Sequence, residues 1–266
     1  MRGVIVTAMA VLAFASTAFA DTAYIEPSTF TPEIEQTITI EAAFNDDCCV
    51  PKYAVRSDVY GIVLPNGDVI SPDRIENFAT STVIEHTITA AGTTRITTGE
   101  RLGRKGGEYV WLDGQYYLIN SDDADPIDVP VGTVILTSQT ETVSDTYVTV
   151  GEPTWESIKQ PIGRLIIAPS QHPSTLKAGD VFVIDLEFDG KPLANQEIVL
   201  THSGQKERAG DEGVTYHSNQ DGRVSIPLSN IGTHVVMTRF QAKAPADAET
   251  DIRSYTTALT FLVSAD

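Results

Sequence analysis

Thr, Val, Ile and Tyr recur in short alternating runs along nearly the whole chain, separated by clusters of Gly, Pro, Asn and Asp. An alternation of period 2 sends successive side chains to opposite faces, one buried and one wet, which is the pattern of half-buried strands between turns. The 3.6-residue period of amphipathic helices is nearly absent. In the first half the pattern predicts strands at 37–44, 59–64, 82–89, 94–98, 108–112, 115–118 and 142–150. Pro65-Asn66-Gly67-Asp68 and Ala91-Gly92 read as turns, and Asp113-Gly114 as a two-residue hairpin turn that needs positive φ.

Around Gly151-Glu152-Pro153-Thr154-Trp155 the alternation breaks, and a fresh set of strands begins after Pro161-Ile162-Gly163. The second half predicts strands at 164–168, 181–188, 197–201, 214–218, 224–228, 234–240 and 255–263. Short strands with turn signals every 8 to 12 residues, over roughly 100 residues, fit an immunoglobulin-like or transthyretin-like sandwich. The expected fold class is all-β, with two β-sandwich domains: an N-terminal β domain over 21–158 and a C-terminal immunoglobulin-like sandwich over 159–266. A length of 266 residues agrees with two domains, since single domains most often run to about 100–150.

The first residues follow a different rule. Arg2 precedes an apolar run from Val4 to Ala15 and then Ala18-Phe19-Ala20, the layout of a secretory signal peptide over 1–20 cleaved after Ala20. The run is shorter than the ~20 residues that span a bilayer, and no later stretch of that length is free of charge, so no transmembrane segment is expected in the mature chain. A periplasmic location follows, with the mature chain starting at Asp21. Lys and Arg number 18 against 36 Asp and Glu, a formal net charge of −18. Such a field repels phosphate backbones, which argues against nucleic acid as a partner.

Candidate chemistry is sparse. Cys48 and Cys49 are adjacent and are the two cysteines of the chain, following Asp46 and Asp47. Three readings stand open: a strained turn closed by a neighbouring-residue disulfide, a thiolate metal site supported by the aspartates, or two unpaired buried side chains. The histidines are His86, His172, His202, His217 and His234, and no pair has the spacing of a zinc-binding helix motif. If 197–201 and 214–218 pair as a hairpin, His202 and His217 come together at one edge, with Glu207, Asp211 and Glu212 on the connecting loop. His234, opening a strand, is a further metal candidate. His86 shares a strand face with Ile84 and Ile88 and reads as a core histidine, while His172, before Pro173, reads as part of a structural turn. The acidic run Asn120-Ser121-Asp122-Asp123-Ala124-Asp125-Pro126-Ile127-Asp128 offers oxygen ligands without the spacing of a calcium loop. Gly103-Arg104-Lys105-Gly106-Gly107 lacks the following Lys-Ser or Lys-Thr of a phosphate-binding loop and reads as a hairpin loop. No nucleophile-elbow motif is present, so the chain is read as a non-enzyme with no catalytic residue assigned.

The pieces FDGKPLANQEIVL, HSNQDGRVSIPL, GTHVVMTRF and YTTALTFLV, in that order and spacing, resemble the periplasmic family catalogued as domain of unknown function 4198. The resemblance extends upstream through IGRLIIAPSQHPSTLKAGD, and more weakly to TAYIEPSTFTP and YAVRSDVYGIVLPNGD. Some members of that family are linked to nickel or cobalt uptake and begin the mature chain with a histidine, where this sequence has Asp21-Thr22-Ala23-Tyr24. A transition metal, if bound, is then expected elsewhere in the chain.

Two functions follow as expectations. One is a non-catalytic accessory protein for nickel, cobalt or iron uptake, passing a transition-metal ion to a membrane transporter or an outer-membrane receptor. The other is a structural or adhesive sandwich module that binds an envelope protein or a glycan.

Overall fold

The structure is a computed structural model that describes residues 22–45, 48–121, 124, 126–204 and 213–265. The expected leader and its cleavage site lie outside the described residues, as do Asp21, Asp46, Asp47, Asp122, Asp123, Asp125, Glu207, Asp211 and Glu212.

The strands in chain order are β1 (Thr22–Pro27), β2 (Thr37–Asn45), β3 (Tyr53–Ala54), β4 (Gly61–Val63), β5 (Val69–Ile70), β6 (Arg74–Asn77), β7 (Thr82–Thr87), β8 (Gly92–Thr97), β9 (Arg101–Leu112) and β10 (Gln115–Ile119). There follow β11 (Leu136–Val150), β12 (Leu165–Pro169), β13 (Val181–Phe188), β14 (Lys191–Pro192), β15 (Glu197–His202), β16 (Val214–His217), β17 (Arg223–Pro227), β18 (Gly232–Lys243) and β19 (Ile252–Val263). One helical turn, α1 (Glu156–Lys159), and a 3-10 turn, Pro173–Thr175, mark the crossing between the halves. The chain is all-β, as its alternation predicts.

Among the described residues the strands form three sheets. Sheet A runs β1-β2-β7-β6, with β3 on β2. Sheet B runs β16-β15-β18-β19-β11-β8-β4-β5, with β9 also on β11 and β10 on β9. Sheet C runs β12-β13-β14, with β17 on β13.

Alternation along the strands of sheet B shows how the layers stack. Tyr147, Val236, Leu259 and Phe261 join Phe182, Ile184 and Leu186 of sheet C in one apolar core. Their neighbours point the other way: Val148 packs with Ile25, Ile40 and Ile84 of sheet A, and Val235 and Ala258 pack with Tyr24 of β1. Sheet B is therefore covered on one face by sheet A and on the other by sheet C. Double coverage explains why all six residues of β8 and nearly all of β19 are buried despite a high threonine content.

The two halves of the chain meet inside sheet B. β11 from the first half and β19 from the second pair in parallel, from Ser138 opposite Ile252 to Thr146 opposite Thr260. The chain passes the expected boundary at 158–159 on α1, yet this ladder joins what lies on either side of it.

The segment Gly103-Arg104-Lys105-Gly106-Gly107, read from sequence as a hairpin loop, instead lies inside β9 and pairs with β11, Lys105 facing Gln139. The glycines serve close approach there. A Cβ on Gly103 or Gly107 would collide with the side chain of Thr140 or Ser138, and the register shifts along this stretch. The hairpin turn comes later, at Asp113 (φ 49°) and Gly114 (φ 88°), both left-handed as the Asp-Gly pair requires.

Candidate functional site

β15 and β18 are antiparallel neighbours, and their register sets His202 directly opposite His234. The ring centroids are 5.4 Å apart, with 35° between planes. His234 is buried and stacks on Phe261 at 5.6 Å, so strand packing fixes its ring; His202, at the end of β15, is half-buried.

The tautomers follow from the partners. A carbonyl oxygen only accepts, so each ring nitrogen facing one must carry the proton. His202 Nδ1 donates to the Ser203 carbonyl at 3.1 Å, and His234 Nδ1 to the Gly232 carbonyl at 3.0 Å. Nε2 is then the lone-pair nitrogen on each ring while it is neutral. The Asn230 amide donates to Nε2 of His202 at 3.2 Å. Among the described residues no hydrogen bond reaches Nε2 of His234. Burial holds the His234 imidazole below its ordinary pKa and His202 beside it reinforces this, against a smaller opposing effect of the Gly232 carbonyl, a balance that favours the neutral ring.

His217 does not join this pair. β15 and β16 do form the expected hairpin, but Leu200 faces Val214 and Glu197 faces His217, which is exposed. Glu197 and His202 are five residue steps apart along β15, so at ~3.3 Å per residue His217 lies roughly 16 Å from His202 along the sheet. The expected proximity fails because the register is set at the loop end of the hairpin, which leaves the second histidine at the far end.

Cys48 and Cys49 are bonded to each other in the turn after β2. Bound as a disulfide, they present no thiolate to a metal. Cys48 is buried among Tyr24, Ala43, Val235, Met237 and Ala258, and Cys49 packs against that group. His86 is buried on β7, as its alternation with Ile84 predicts; its Nδ1 lies 3.5 Å from Asp73 without forming a hydrogen bond. His172 has the expected structural role: it caps the 3-10 turn, accepting at Nδ1 from the Ser174 amide at 3.2 Å, and its Nε2 reaches Thr93 and the Thr154 carbonyl. Among the described residues, no three His, Cys, Asp or Glu side chains converge as a metal-binding group.

Sequence reasoning missed two features. The His202–His234 pairing depends on which distant strand lies beside β15, which local pattern does not specify. The second was within reach: a two-residue Asp113-Gly114 turn places Trp111 opposite Tyr116, and their rings meet edge to face at 4.5 Å. Trp111 is 51% exposed, and Val131, Val134 and Ile135, just before β11, are also exposed. Among the described residues no helix is long and apolar enough to cross a membrane.

Several solved structures overlap the chain weakly. The D0-D1 domain of Intimin is 11% identical over 90% of this chain and 97% of its own length, with a TM-score of 0.22. The adhesin InvE of Yersinia pseudotuberculosis is 11% identical over 91% of this chain and 58% of its own, with a TM-score of 0.23. The ectodomain of mouse nectin-like molecule 4 is 10% identical over 92% of this chain and 65% of its own, with a TM-score of 0.20. No curated protein matches the chain. The sequence profile described as Domain of unknown function (DUF4198) matches residues 18–242, most of the chain, and the protein belongs to that family.

Proposed function

We propose that the protein is a non-catalytic periplasmic accessory protein that carries a transition-metal ion on His202 and His234. The observation that carries this reading is the cross-strand imidazole pair with each Nδ1 held by a backbone carbonyl. Imidazole ligands that bind metals through one nitrogen characteristically donate from the other to a carbonyl or carboxylate, which fixes both tautomer and ring direction. A neutral Nε2 is a nitrogen donor suited to nickel, cobalt, copper or zinc. The Asn230 amide is displaced from His202 as metal enters. Two protein nitrogens leave the remaining coordination positions to water or to a receiving protein, which suits a carrier that must release its ion to a transporter or receptor. The charge of −18 raises the local concentration of cations.

Isothermal titration of the native protein with nickel, cobalt, copper, zinc and ferrous iron tests this. One ion per chain is expected at micromolar Kd, weakened at least tenfold by His202→Gln or His234→Gln and unchanged by His217→Gln. A wild-type protein that binds none of these ions, or binds them equally well without both histidines, overturns the reading.

A second reading, an adhesive or structural module, rests on a different observation: the Trp111–Tyr116 pair at the tip of the β9–β10 hairpin, with Trp111 exposed, and the exposed apolar side chains Val131, Val134 and Ile135 that precede β11. Patches of this kind mark protein contacts. A photo-crosslinker at position 111 that captures one envelope protein, with capture lost on Tyr116→Ser, would favour it.

A further inference from the structure

We infer that Cys48–Cys49 is a reversible dithiol–disulfide site, reduced in the folded protein by a thioredoxin-type dithiol that attacks at Cys49. The inference is independent of the metal reading and uses none of its residues.

A structural role explains this bond poorly. A disulfide stabilises mainly by restricting the unfolded chain, and the effect grows with the loop it closes. This one joins neighbours, with Cα atoms 3.8 Å apart, and closes the shortest loop a chain can have. It also leaves Cys49 at φ 69°, a left-handed conformation that non-glycine residues rarely adopt. Packing accounts more fully for Cys48 than for Cys49, which meets the apolar group only at its margin. Cys48 is 6% exposed within an apolar group and behaves there as a small hydrophobic side chain, whereas Cys49 is half-buried.

The environments of the two sulfurs set the direction of attack. Cys48 faces inward, its Sγ 4.0 Å from the Thr233 carbonyl of β18, while Cys49 is the more exposed residue of the two. A reductant thiolate attacks Sγ of Cys49, forms a mixed disulfide with it and expels Cys48 as a thiolate, which takes up a proton beside the Thr233 carbonyl. The reductant's second thiolate then attacks its own sulfur in the mixed disulfide and releases Cys49 as a thiolate, which is also protonated. The pair gains two electrons and two protons, and the dithiol leaves as a disulfide. Cys48 shares one apolar group with Tyr24 of β1, Ala43 of β2, Val235 and Met237 of β18 and Ala258 of β19, so the covalent state of the pair is felt where sheets A and B meet.

The test treats the native chain with a thioredoxin-type protein, intact or with its resolving cysteine changed to serine, followed by alkylation and peptide mass mapping. Two alkyl groups are expected on the folded chain, with its circular dichroism unchanged, and the trapped mixed disulfide is expected on Cys49. Separately, the single thiol of Cys48→Ser should alkylate at least tenfold faster than that of Cys49→Ser. Sulfurs that resist reduction until the chain is unfolded, loss of the fold on reduction, or trapping on Cys48 each overturn the inference.

Discussion

His172 shows how one side chain can make stability depend on pH. Burial lowers its imidazole pKa, against a smaller raising effect of the Thr154 carbonyl bonded to it. The geometry agrees, because Nδ1 accepts from the Ser174 amide, and a proton placed there would face that donor N–H. The unfolded chain should titrate near the ordinary value of about 6.5. A folded pKa below that means the unfolded state binds more protons in the interval between the two. The stabilisation is thus complete above about pH 6.5 and is lost as pH falls through the folded value. Thermal midpoints taken from pH 7.5 down to 5 should fall in the wild type and fall less in His172→Asn. His234, also lowered by burial, adds to the slope with the same sign, so the variant should flatten it in part. A slope identical in the variant would remove His172 as its source.

At the scale of elements, β8 and β11 are held by an ion pair inside sheet B. Arg95 and Asp145 are both almost fully buried, Arg95 Nε lies 2.9 Å from the carboxylate, and another guanidinium nitrogen reaches the Gln160 carbonyl at 2.6 Å. Burial would depress the Arg95 guanidinium, but Asp145 beside it prevails and keeps it charged. Removing one partner strands a charge in a low-dielectric interior, whereas removing both does not. Arg95→Met should cost about 3–5 kcal/mol in urea unfolding. The double variant Arg95→Met with Asp145→Leu should recover a large part of that loss. Equal losses in the single and double variants would show that packing, not charge, is at stake.

The same elements show what the sequence could and could not reveal. Strands β13 and β17 alternate cleanly, with Phe182, Ile184 and Leu186 or Val224 and Ile226 turned to the core, and period alone locates them, as it does the start of β2. β9 is hidden where Arg104, Lys105 and the glycines carry no apolar alternation, since that stretch is an exposed strand shaped by close approach to β11. The site divides in the same way. The β15–β16 hairpin was legible from adjacent runs, but pairing β15 with β18 is a long-range choice, and it is that choice which brings His234, rather than His217, to His202.

Across the whole molecule, the shared sheet governs cooperativity. Cores on opposite faces of sheet B could melt separately if each half owned its strands, but β11 contributes Tyr147 to one core and Val148 to the other. Along the same strand, the ladder to β19 ties residues more than a hundred positions apart. Separating the halves would expose the edges of β11 and β19, whose buried threonines and backbone groups have, among the described residues, no other partner strand along this ladder. The full chain should therefore unfold in one calorimetric transition, with van't Hoff and calorimetric enthalpies equal. Phe182, fully buried against Phe261, gives the sharper form of the test. Phe182→Ala should cost about 3–5 kcal/mol. Because sheet B is common to both cores, the variant should shift the single transition downward as a unit. A low-temperature peak splitting from an unmoved high-temperature peak would show instead that the sheet A side holds together without the sheet C side, and that the β11–β19 ladder is a contact between independently stable units.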